Sequence, residues 1–352
     1  MARSVTVKDI ALSAEVSIAT VSRVLNNHHN INDEVRQRVL QVAAELGYFK
    51  AASRHSPTKQ KDIQLKKICF LLCYSEFNDR PALSDPFWAQ VLHGAEIEAR
   101  KSSTQLIYQT VAHQDSPYIL QAQIHEMEAD GILLVGPSEI NTVQAIQKVN
   151  TPLVLIDNYV SGLTQKVDTI LSDNYEGAKQ ATHYLIQQGH RRIAYINEYS
   201  TDSYPANTIH SFTWRQKGYQ DALLAAGIAI DNTIIYQRYH DIAEICTHLI
   251  ELPEPPTAIF CTNDPVASKA IKTLRGLGIH IPQDISIMGF DDIDLAEHLT
   301  PPLTTMHVHK EAMGALGVQT LISRVSNPDA IHMSHILDVH LVVRDSVQSH
   351  IN

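Results

Sequence analysis

The stretch VKDIALSAEVSIATVSRVLN, residues 7–26, decides the fold of the amino-terminal region. Its apolar residues recur at helical spacing on both sides of a tight turn near 14–16, which predicts a helix, a turn and a second short helix. We expect Thr6 to cap the first helix and Ser17 to cap the second. The small residues Ala11, Ala14 and Val21 would let the two helices cross at a steep angle.

The second of these helices carries side chains that suit contact with DNA. Arg23 can reach base edges or phosphates, and Ile18 and Ala19 can pack on thymine methyl groups. Hydroxyls in the same stretch can donate to phosphates. The candidate contact residues of this stretch are Ser17, Ile18, Ala19, Thr20, Ser22 and Arg23. On the pattern alone, a three-helix domain that contacts another protein remains an alternative.

The rest of the amino-terminal region continues as helix and then becomes polar. Asn32-Asp33 begins a third predicted helix, whose apolar residues recur every three or four positions until Gly47. Residues 1–47 are therefore predicted to form an all-α helix-turn-helix head. Residues 48–67 are polar, rich in Lys and contain Pro57, which is typical of a linker.

Charge is distributed unevenly along the 352 residues. The chain carries a net charge of −10. Residues 1–67 hold 11 Lys and Arg against 6 Asp and Glu, a net charge of +5, whereas the remainder holds 17 against 32, a net charge of −15. A basic head on an acidic body can attract phosphates while the body avoids nonspecific contact.

From residue 68 to about 347, short apolar runs alternate with helical stretches. This alternation predicts an α/β body built on parallel sheets. The predicted strands are 67–74, 105–109, 131–135, 153–157, 169–172, 192–196, 234–238, 258–262 and 285–290. A break near 158–168 suggests two lobes, one of about 68–158 with 292–322 and another of about 159–291 with 323–347. A ligand site is then expected in the cleft between them, beyond the carboxyl ends of the strands.

These stretches together resemble the lactose/galactose repressor (LacI/GalR) family of transcription regulators. Residues 7–26 resemble the family's head, and further matching stretches follow in the family's order: 85–96, 130–135, 189–193, 215–219, 262–264, 281–286, 289–292 and 301–305. The resemblance implies a DNA-binding repressor with a two-lobed body like that of periplasmic binding proteins. It also implies a homodimer, or a tetramer, on a double-stranded palindromic operator. Thr6, Asn26 and Tyr48 complete the predicted DNA-contacting set.

The chain departs from the family pattern at two places. Glu15 occupies a turn position that is commonly Gly, where a side chain implies mild backbone strain. The linker lacks the family's Pro-Asn pair and the leucine that wedges into the minor groove, and Pro57 lies close to that leucine's expected place. We therefore expect this protein to bend its operator less, or to use Phe49 or Leu65 in a different way.

The resemblance also implies a sugar effector in the cleft. It places polar residues at the cleft: Asp85, Asp157, Arg215, Asn263 and Asp291. Stacking on a sugar ring is expected from Phe87, or from Trp88, Tyr159, Trp214 or Phe290. Residues 85–96 and 306–317 look most like the branch that controls galactoside operons, which makes a galactoside the expected ligand. A purine or another non-sugar ligand is the alternative, and each acidic residue, like Asp264 and Asp292, can also be a helix cap.

The sequence offers no sign of catalysis, metal binding or membrane insertion. It has no nucleophile elbow, phosphate loop or metal-binding helix motif, and no pair of carboxylates at a readable catalytic spacing for a sugar-modifying enzyme. The cysteines Cys69, Cys73, Cys246 and Cys261 are predicted to be buried thiols, because no paired C-x-x-C spacing occurs. His307 and His309 alternate on a predicted strand, and His332 and His335 are spaced for a helix turn; surface histidines are expected at both places. No cofactor and no metal are expected.

Location and assembly are also expectations at this point. With no apolar run of membrane-spanning length and no apolar signal core, the protein is expected in the cytoplasm. A periplasmic-type sugar-binding protein would share the body but lack residues 1–47. No leucine heptads follow Val347, which favours a dimer over a tetramer.

Overall fold

The structure is a computed structural model that describes residues 5–25, 31–46, 48, 65–74, 85–112, 116–197, 210–236 and 241–350. The head consists of three helices: α1 (Val7–Ser13), α2 (Ile18–Leu25) and α3 (Asp33–Glu45). Ile10, Ala14, Val21 and Val39 are fully buried and form its core. The turn before α2 contains Glu15 at φ 54°, so the backbone there is left-handed, as expected from the glycine that is common at this position.

The first lobe is a parallel sheet of six strands with helices on its faces. The strand order is β11-β5-β4-β3-β1-β2. The strands are β1 (Lys67–Tyr74), β2 (Gln105–Ala112), β3 (Gly131–Val135), β4 (Leu153–Ile156), β5 (Asp168–Ser172) and β11 (Ser334–Leu337). The helices are α4 (Pro86–Lys101), α5 (Pro117–Met127), α6 (Ile140–Gln147) and α12 (Lys310–Ser326). β3, β4 and β5 are buried along their whole length. β3 and β4 therefore read as continuous apolar runs, whereas β5 also carries the buried polar residues Asp168, Thr169 and Ser172.

The second lobe is a smaller parallel sheet in the order β7-β6-β8-β9. Its strands are β6 (Ile193–Ile196), β7 (Ile235–Tyr236), β8 (Ala258–Cys261) and β9 (Ser286–Met288). Its helices are α7 (Asn174–Gln187), α8 (His210–Ala225), α9 (Ile242–Glu251), α10 (Asp264–Gly276) and α11 (Leu295–His298).

The chain passes between the lobes three times. It leaves the first lobe after β5, returns through β10 (Thr305–Val308), and crosses again in β12 (Val339–Val342). β10 and β12 pair antiparallel, with His307 opposite His340. The last residues then join the second lobe, where Ile287 N donates to the carbonyl of Ser346.

The predicted lobe boundaries at 158 and 322 are wrong. β5 and β11 pair with each other inside the first sheet. The chain therefore first leaves this lobe after Ser172, and its later return to the lobe ends at Leu337. The break at 158–168 is a connection between two strands of one sheet. The helical spacing suggested for His332 and His335 is also wrong, because His335 lies in β11.

Helices α4 and α12 pack backbone against backbone. A Cβ added at Gly94 would lie 1.9 Å from the carbonyl oxygen of Glu311, and one added at Gly314 would lie 1.9 Å from that of Val91. Two glycines therefore make this close approach possible, and the helix pair forms a tightly packed layer of the first lobe.

The head contacts the first lobe through α5. Tyr118, Ile119 and Ala122 pack against the apolar core of the head. Within the described residues, no helix is long and apolar enough to cross a membrane.

Candidate functional site

Helix α2 presents one face to the head's core and the other to solvent. Val21 and Val24 are buried. The Ser17 hydroxyl accepts a hydrogen bond from Thr20 N at 3.0 Å and lies 2.8 Å from the Thr20 hydroxyl, so Ser17 caps the helix as predicted. The exposed residues are Ser17, Ile18, Ala19, Ser22 and Arg23, and Thr20 is half-buried. The predicted DNA-contacting stretch is thus accessible on one side.

The predicted DNA-contacting residues outside α2 are less accessible or have a structural role. Thr6 caps α1 in a capping box, in which its hydroxyl donates to Asp9 Oδ2 at 2.7 Å. Tyr48 is half-buried, and its backbone N donates to the Ala43 carbonyl. Asn26 and most of the 48–67 linker lie outside the described residues, so the expectations about Phe49 and operator bending remain predictions.

Arg215 is the centre of the cleft site. It lies on α8 and is 2% exposed. Its Nε donates to Asn174 Oδ1 at 2.8 Å, and its Nη1 donates to the Thr262 carbonyl at 2.7 Å. Its guanidinium carbon stacks 3.8 Å from the centre of the Phe290 ring. Arg215 therefore ties together the carboxyl ends of β5, β8 and β9, where a parallel sheet is expected to bind its ligand.

Asp291 is the buried partner of this arginine. Arg215 Nη2 lies 2.9 Å from Asp291 Oδ1 in a buried ion pair, and no other described residue makes a hydrogen bond to that oxygen. Burial raises the pKa of Asp291 to about 6, and Arg215 and then Lys310 act in the opposite direction. The backbone at Asp291 is at φ 109°, so the carboxylate is held by a strained turn.

Asp157 completes the charged part of the cleft from the first lobe. It follows β4 at φ 51°. Burial raises its pKa to about 7, Arg215 lowers that pKa and Asp291 raises it. The structure thus brings Asp157, Arg215 and Asp291 within electrostatic reach of one another, as the sequence predicted.

Asn158, which follows Asp157, and His210, which begins the helix of Arg215, each have a buried polar atom without a hydrogen-bond partner among the described residues. Asn158 Nδ2 donates to the Ser138 hydroxyl, whereas Asn158 Oδ1 is buried without a donor among the described residues. Likewise, His210 Nδ1 is buried without a partner in the described part of the chain, and burial lowers the pKa of His210 to about 4. Buried polar atoms are rarely left unpaired, so these atoms indicate a place for a bound polar molecule. Sequence reasoning missed Asn158, His210 and Asn174, because none of them belongs to a recognisable motif.

Several other predicted cleft residues have structural roles. Asp85 caps α4, where its Oδ1 accepts from Phe87 N at 2.9 Å, although its charge still raises the pKa of Asp291. Asn263 caps α10 by accepting from Val266 N. Phe87 belongs to the apolar core and packs edge-on against Trp88. Whether any of them also contacts an effector remains a prediction.

The two acidic residues that were considered as simple caps are not caps. Asp264 is the first residue of α10 and accepts from Ile293 N at 2.9 Å and from the Thr305 hydroxyl at 2.6 Å. Asp292 lies 2.8 Å from His307 Nδ1 and accepts from Arg344 Nη2 at 2.8 Å. Both therefore fasten the crossover segments between the lobes.

The aromatic residues proposed for stacking separate into two groups. Phe290 is fully buried beneath Arg215, so its face is already covered. Tyr159 of the first lobe packs 5.1 Å from His210 of the second, and Trp214 packs 5.8 Å from the same ring. Tyr159 is 46% exposed and Trp214 is 43% exposed, so both have free surface for a sugar ring.

An open groove of about 390 Å³ lies elsewhere, between α9 and α10. Asp241, Lys269 and Lys272 contribute to its lining. Its lining does not include Arg215, Asp291, Asn158 or His210.

Comparison with known proteins agrees with this architecture. Residues 6–50 match the family model described as bacterial regulatory proteins, lacI family, and residues 182–347 match the model described as a periplasmic binding protein-like domain. The predicted helix-turn-helix head and two-lobed α/β body are thereby confirmed.

Whole-chain relatives are similar along nearly the entire length. The chain is 34% identical over 350 residues to a ribose operon repressor of Haemophilus influenzae, covering 98% of this chain and 99% of that one. It is 30% identical over 355 residues to the HTH-type transcriptional repressor CytR of Escherichia coli K12, covering 98% and 96%. A solved complex of the transcriptional regulator CelR with cellobiose superposes with a TM-score of 0.69 at 28% identity, covering 97% of this chain and 99% of that one.

Proposed function

Because the chain belongs to the LacI family of bacterial transcriptional regulators, we propose that it represses a sugar-utilisation operon and that a neutral sugar bound between its lobes controls its hold on DNA. The membership makes it a DNA-binding transcriptional repressor. The operon and the effector are the parts that we propose.

The exposed face of α2 supports DNA reading by the head. Ile18 is 49% exposed although it is apolar, and Arg23, five residues further along the same helix, is also exposed. An exposed apolar side chain can pack on thymine methyl groups in the major groove, and an arginine can donate to the acceptor atoms of the base edges there. The net charge of +5 on residues 1–67 supports the phosphate contacts that such docking needs.

We propose a homodimer on a palindromic operator. Two heads related by a two-fold axis match two half-sites related in the same way, so the symmetry of protein and DNA agrees. A tetramer is the alternative.

Three buried polar atoms with room for a further hydrogen bond carry the proposal for the effector. Asp291 Oδ1 and Asn158 Oδ1 can accept hydrogen bonds from hydroxyls. His210 Nδ1 can either donate a hydrogen bond to a hydroxyl or accept one from it, depending on the tautomer of the ring. Tyr159 and Trp214 add exposed aromatic surface beside them. Several hydroxyls next to an apolar ring face describe a sugar.

The charges of the cleft favour a neutral sugar over an acidic one. Asp157 and Asp291 are buried carboxyl groups, and each of the three guanidinium nitrogens of Arg215 already has an acceptor within 3 Å. A uronate or a sugar phosphate would bring a further negative charge to buried carboxylates, and no cation that the cited contacts leave free lies beside them in the described part of the chain.

The galactoside expected from the sequence remains a prediction. The relatives described above name ribose and cellobiose, so they support a sugar as the class of effector without favouring a galactoside.

Two measurements test the proposal separately. Selection from random duplexes should enrich palindromic sites, and enrichment of no site over bulk DNA would refute operator binding. Thermal unfolding should shift upward with ribose, a galactoside or cellobiose, since a ligand that binds only the folded state stabilises it. Galacturonate and a purine base serve as comparisons. A shift with either of these and none with neutral sugars would contradict the proposed effector class. The exposed-pair variant Lys217→Met, on the same helix as Arg215, should keep the response, and Arg215→Met should lose it.

A further inference from the structure

Lys310 is a buried lysine at the junction of the two lobes. It is the first residue of α12 and is 3% exposed. A cation is disfavoured both by burial and by the positive end of a helix dipole. Its place must therefore be supported by specific partners.

Those partners are backbone carbonyls of the turn that carries Asp291. Lys310 Nζ donates to the carbonyl of Asp291 at 2.5 Å and to that of Asp292 at 2.9 Å. A third bond, at 3.2 Å, goes to the carbonyl of Val308. All three protons of the ammonium are thereby used.

The turn held in this way is strained. Asp291 is at φ 109° and Asp292 at φ 52°, so two consecutive residues with side chains occupy the left-handed half of conformational space. Such a conformation persists only where the surroundings hold it. One ammonium that binds both carbonyls provides that restraint, and the turn in turn aims the Asp291 carboxylate at Arg215.

Lys310 also contributes charge to the site. After burial and Arg215, it is the next influence on the pKa of Asp291, which it lowers. The titratable and charged groups that face Asp291 from the surrounding elements are Arg215, Lys310, Asp85, Asp157 and Asp264. Arg215 and Lys310 are the cations of this group, so neutralising Lys310 removes one of two charges that favour the ionised carboxyl.

We propose that Lys310 is a positioning residue of the effector site, which holds the Asp291 turn in shape and places a positive charge beside the carboxylate that accepts a sugar hydroxyl. This rests on the proposed effector site, because Asp291 Oδ1 is taken there as a ligand acceptor. Lys310 begins α12, whose backbone contacts α4 at Gly314. The hydrogen bonds of Lys310 therefore also fix the position of the turn relative to this helix pair of the first lobe.

The decisive measurement is the titration of the Asp291 carboxyl carbon by NMR in the sugar-free protein, assigned by its absence in Asp291→Asn. In Lys310→Met the midpoint should move up by one pH unit or more. In Lys310→Arg, which keeps the charge and the donors, it should stay within half a unit of wild type. An unchanged midpoint in Lys310→Met would overturn the proposal, whether or not any sugar binds. If Lys310→Met does not fold, Lys310→Gln removes the same charge, and a displaced midpoint in Lys310→Arg would count against the proposal on its own.

Sugar affinity supplies the second readout. At pH 7, Lys310→Met should weaken sugar binding about twofold or more, because a midpoint raised by one unit or more leaves about half or less of Asp291 ionised. The difference in affinity between the variant and wild type should become smaller as the pH rises, because Asp291 regains its charge. Lys217→Met, with its ammonium in solvent, is the matched control and should bind as wild type does. A loss that is the same at every pH would indicate a merely structural role and contradict the proposal. Absence of sugar binding by the wild-type protein would refute the proposed effector and leave the titration to decide the role of Lys310.

Discussion

Replacing Arg215 by methionine removes the cation on which the cleft is organised. The variant leaves Asp291 as a buried carboxyl group without its ion pair, and it leaves the Thr262 carbonyl and the Asn174 amide oxygen without the donors that now lie 2.7 and 2.8 Å away. Breaking a buried pair from one side costs about 3–5 kcal/mol. Methionine keeps an apolar contact with Phe290, so the loss arises mainly from the unpaired polar groups.

The cause can be separated from a general packing defect. Adding Asp291→Asn to Arg215→Met removes the uncompensated charge and should recover about 1 kcal/mol or more of the free energy of unfolding. The cost of Arg215→Met should also shrink as the pH falls, because Asp291 then takes up a proton in the folded state. Its pKa, already about 6 in the wild type, rises further once Arg215 is gone.

Urea unfolding followed by circular dichroism, at one fixed protein concentration, measures these differences. Lys217→Met is the matched control: it lies on the same helix, and its bond to Asp221 at 2.7 Å is between exposed side chains. Such a pair is worth about 1 kcal/mol or less. If Arg215→Met costs no more than Lys217→Met, or if Asp291→Asn recovers nothing, the reasoning about the cleft is refuted.

Three further predictions concern the head, the helix layer and the second lobe. Arg23→Ala should weaken operator binding about 10- to 100-fold in fluorescence anisotropy, the worth of one good base contact, whereas the exposed Arg38→Ala on α3 should change it less; equal losses would contradict the role of α2. Gly314→Ala should cost about 1–3 kcal/mol in urea unfolding, because its Cβ would lie 1.9 Å from a backbone oxygen of α4; Gly276→Ala, with nothing described within 4 Å, is the control and should not destabilise as much. Burial lowers the pKa of His190 to about 4, so the unfolded chain is protonated first as the pH falls through 6.5, and stability is lost between about pH 6.5 and 4. Between pH 7 and pH 5, the free energy of unfolding of His190→Gln should therefore fall by about 2 kcal/mol less than that of wild type. Identical pH profiles of stability would contradict the lowered pKa of His190.

Local signals made most of the fold predictable. The caps Thr6 and Ser17 and the helical spacing of the head gave α1, α2 and α3 to within two residues. The continuous apolar runs of β3 and β4 were equally clear, because buried parallel strands need apolar side chains on both faces.

What the sequence missed depends on contacts between distant parts of the chain. β11 pairs with β5 across about 165 residues, and its side chains alternate between exposed and half-buried, so nothing local marks it as a strand of the first sheet. The lobe boundaries were wrong for that reason.

The cleft was partly predictable for a related reason. Asp157, Arg215 and Asp291 follow strands or face strand ends, which motif matching can find. Lys310 was missed because its partners are backbone carbonyls 18 and 19 positions earlier, and backbone carbonyls leave no trace in the pattern of residue types.

The turn at Asp291 is held from both lobes by opposite chemistry. From the second lobe, the carboxylate of Asp264 accepts from Ile293 N and from the Thr305 hydroxyl. From the first lobe, the ammonium of Lys310 donates to the carbonyls of Asp291 and Asp292. A relative movement of the lobes must lengthen one set of bonds or carry the strained turn with it. The Asp291 carboxylate is the acceptor that we assign to the sugar. Sugar binding and the relative position of the two lobes therefore both affect the backbone of this turn, which couples them.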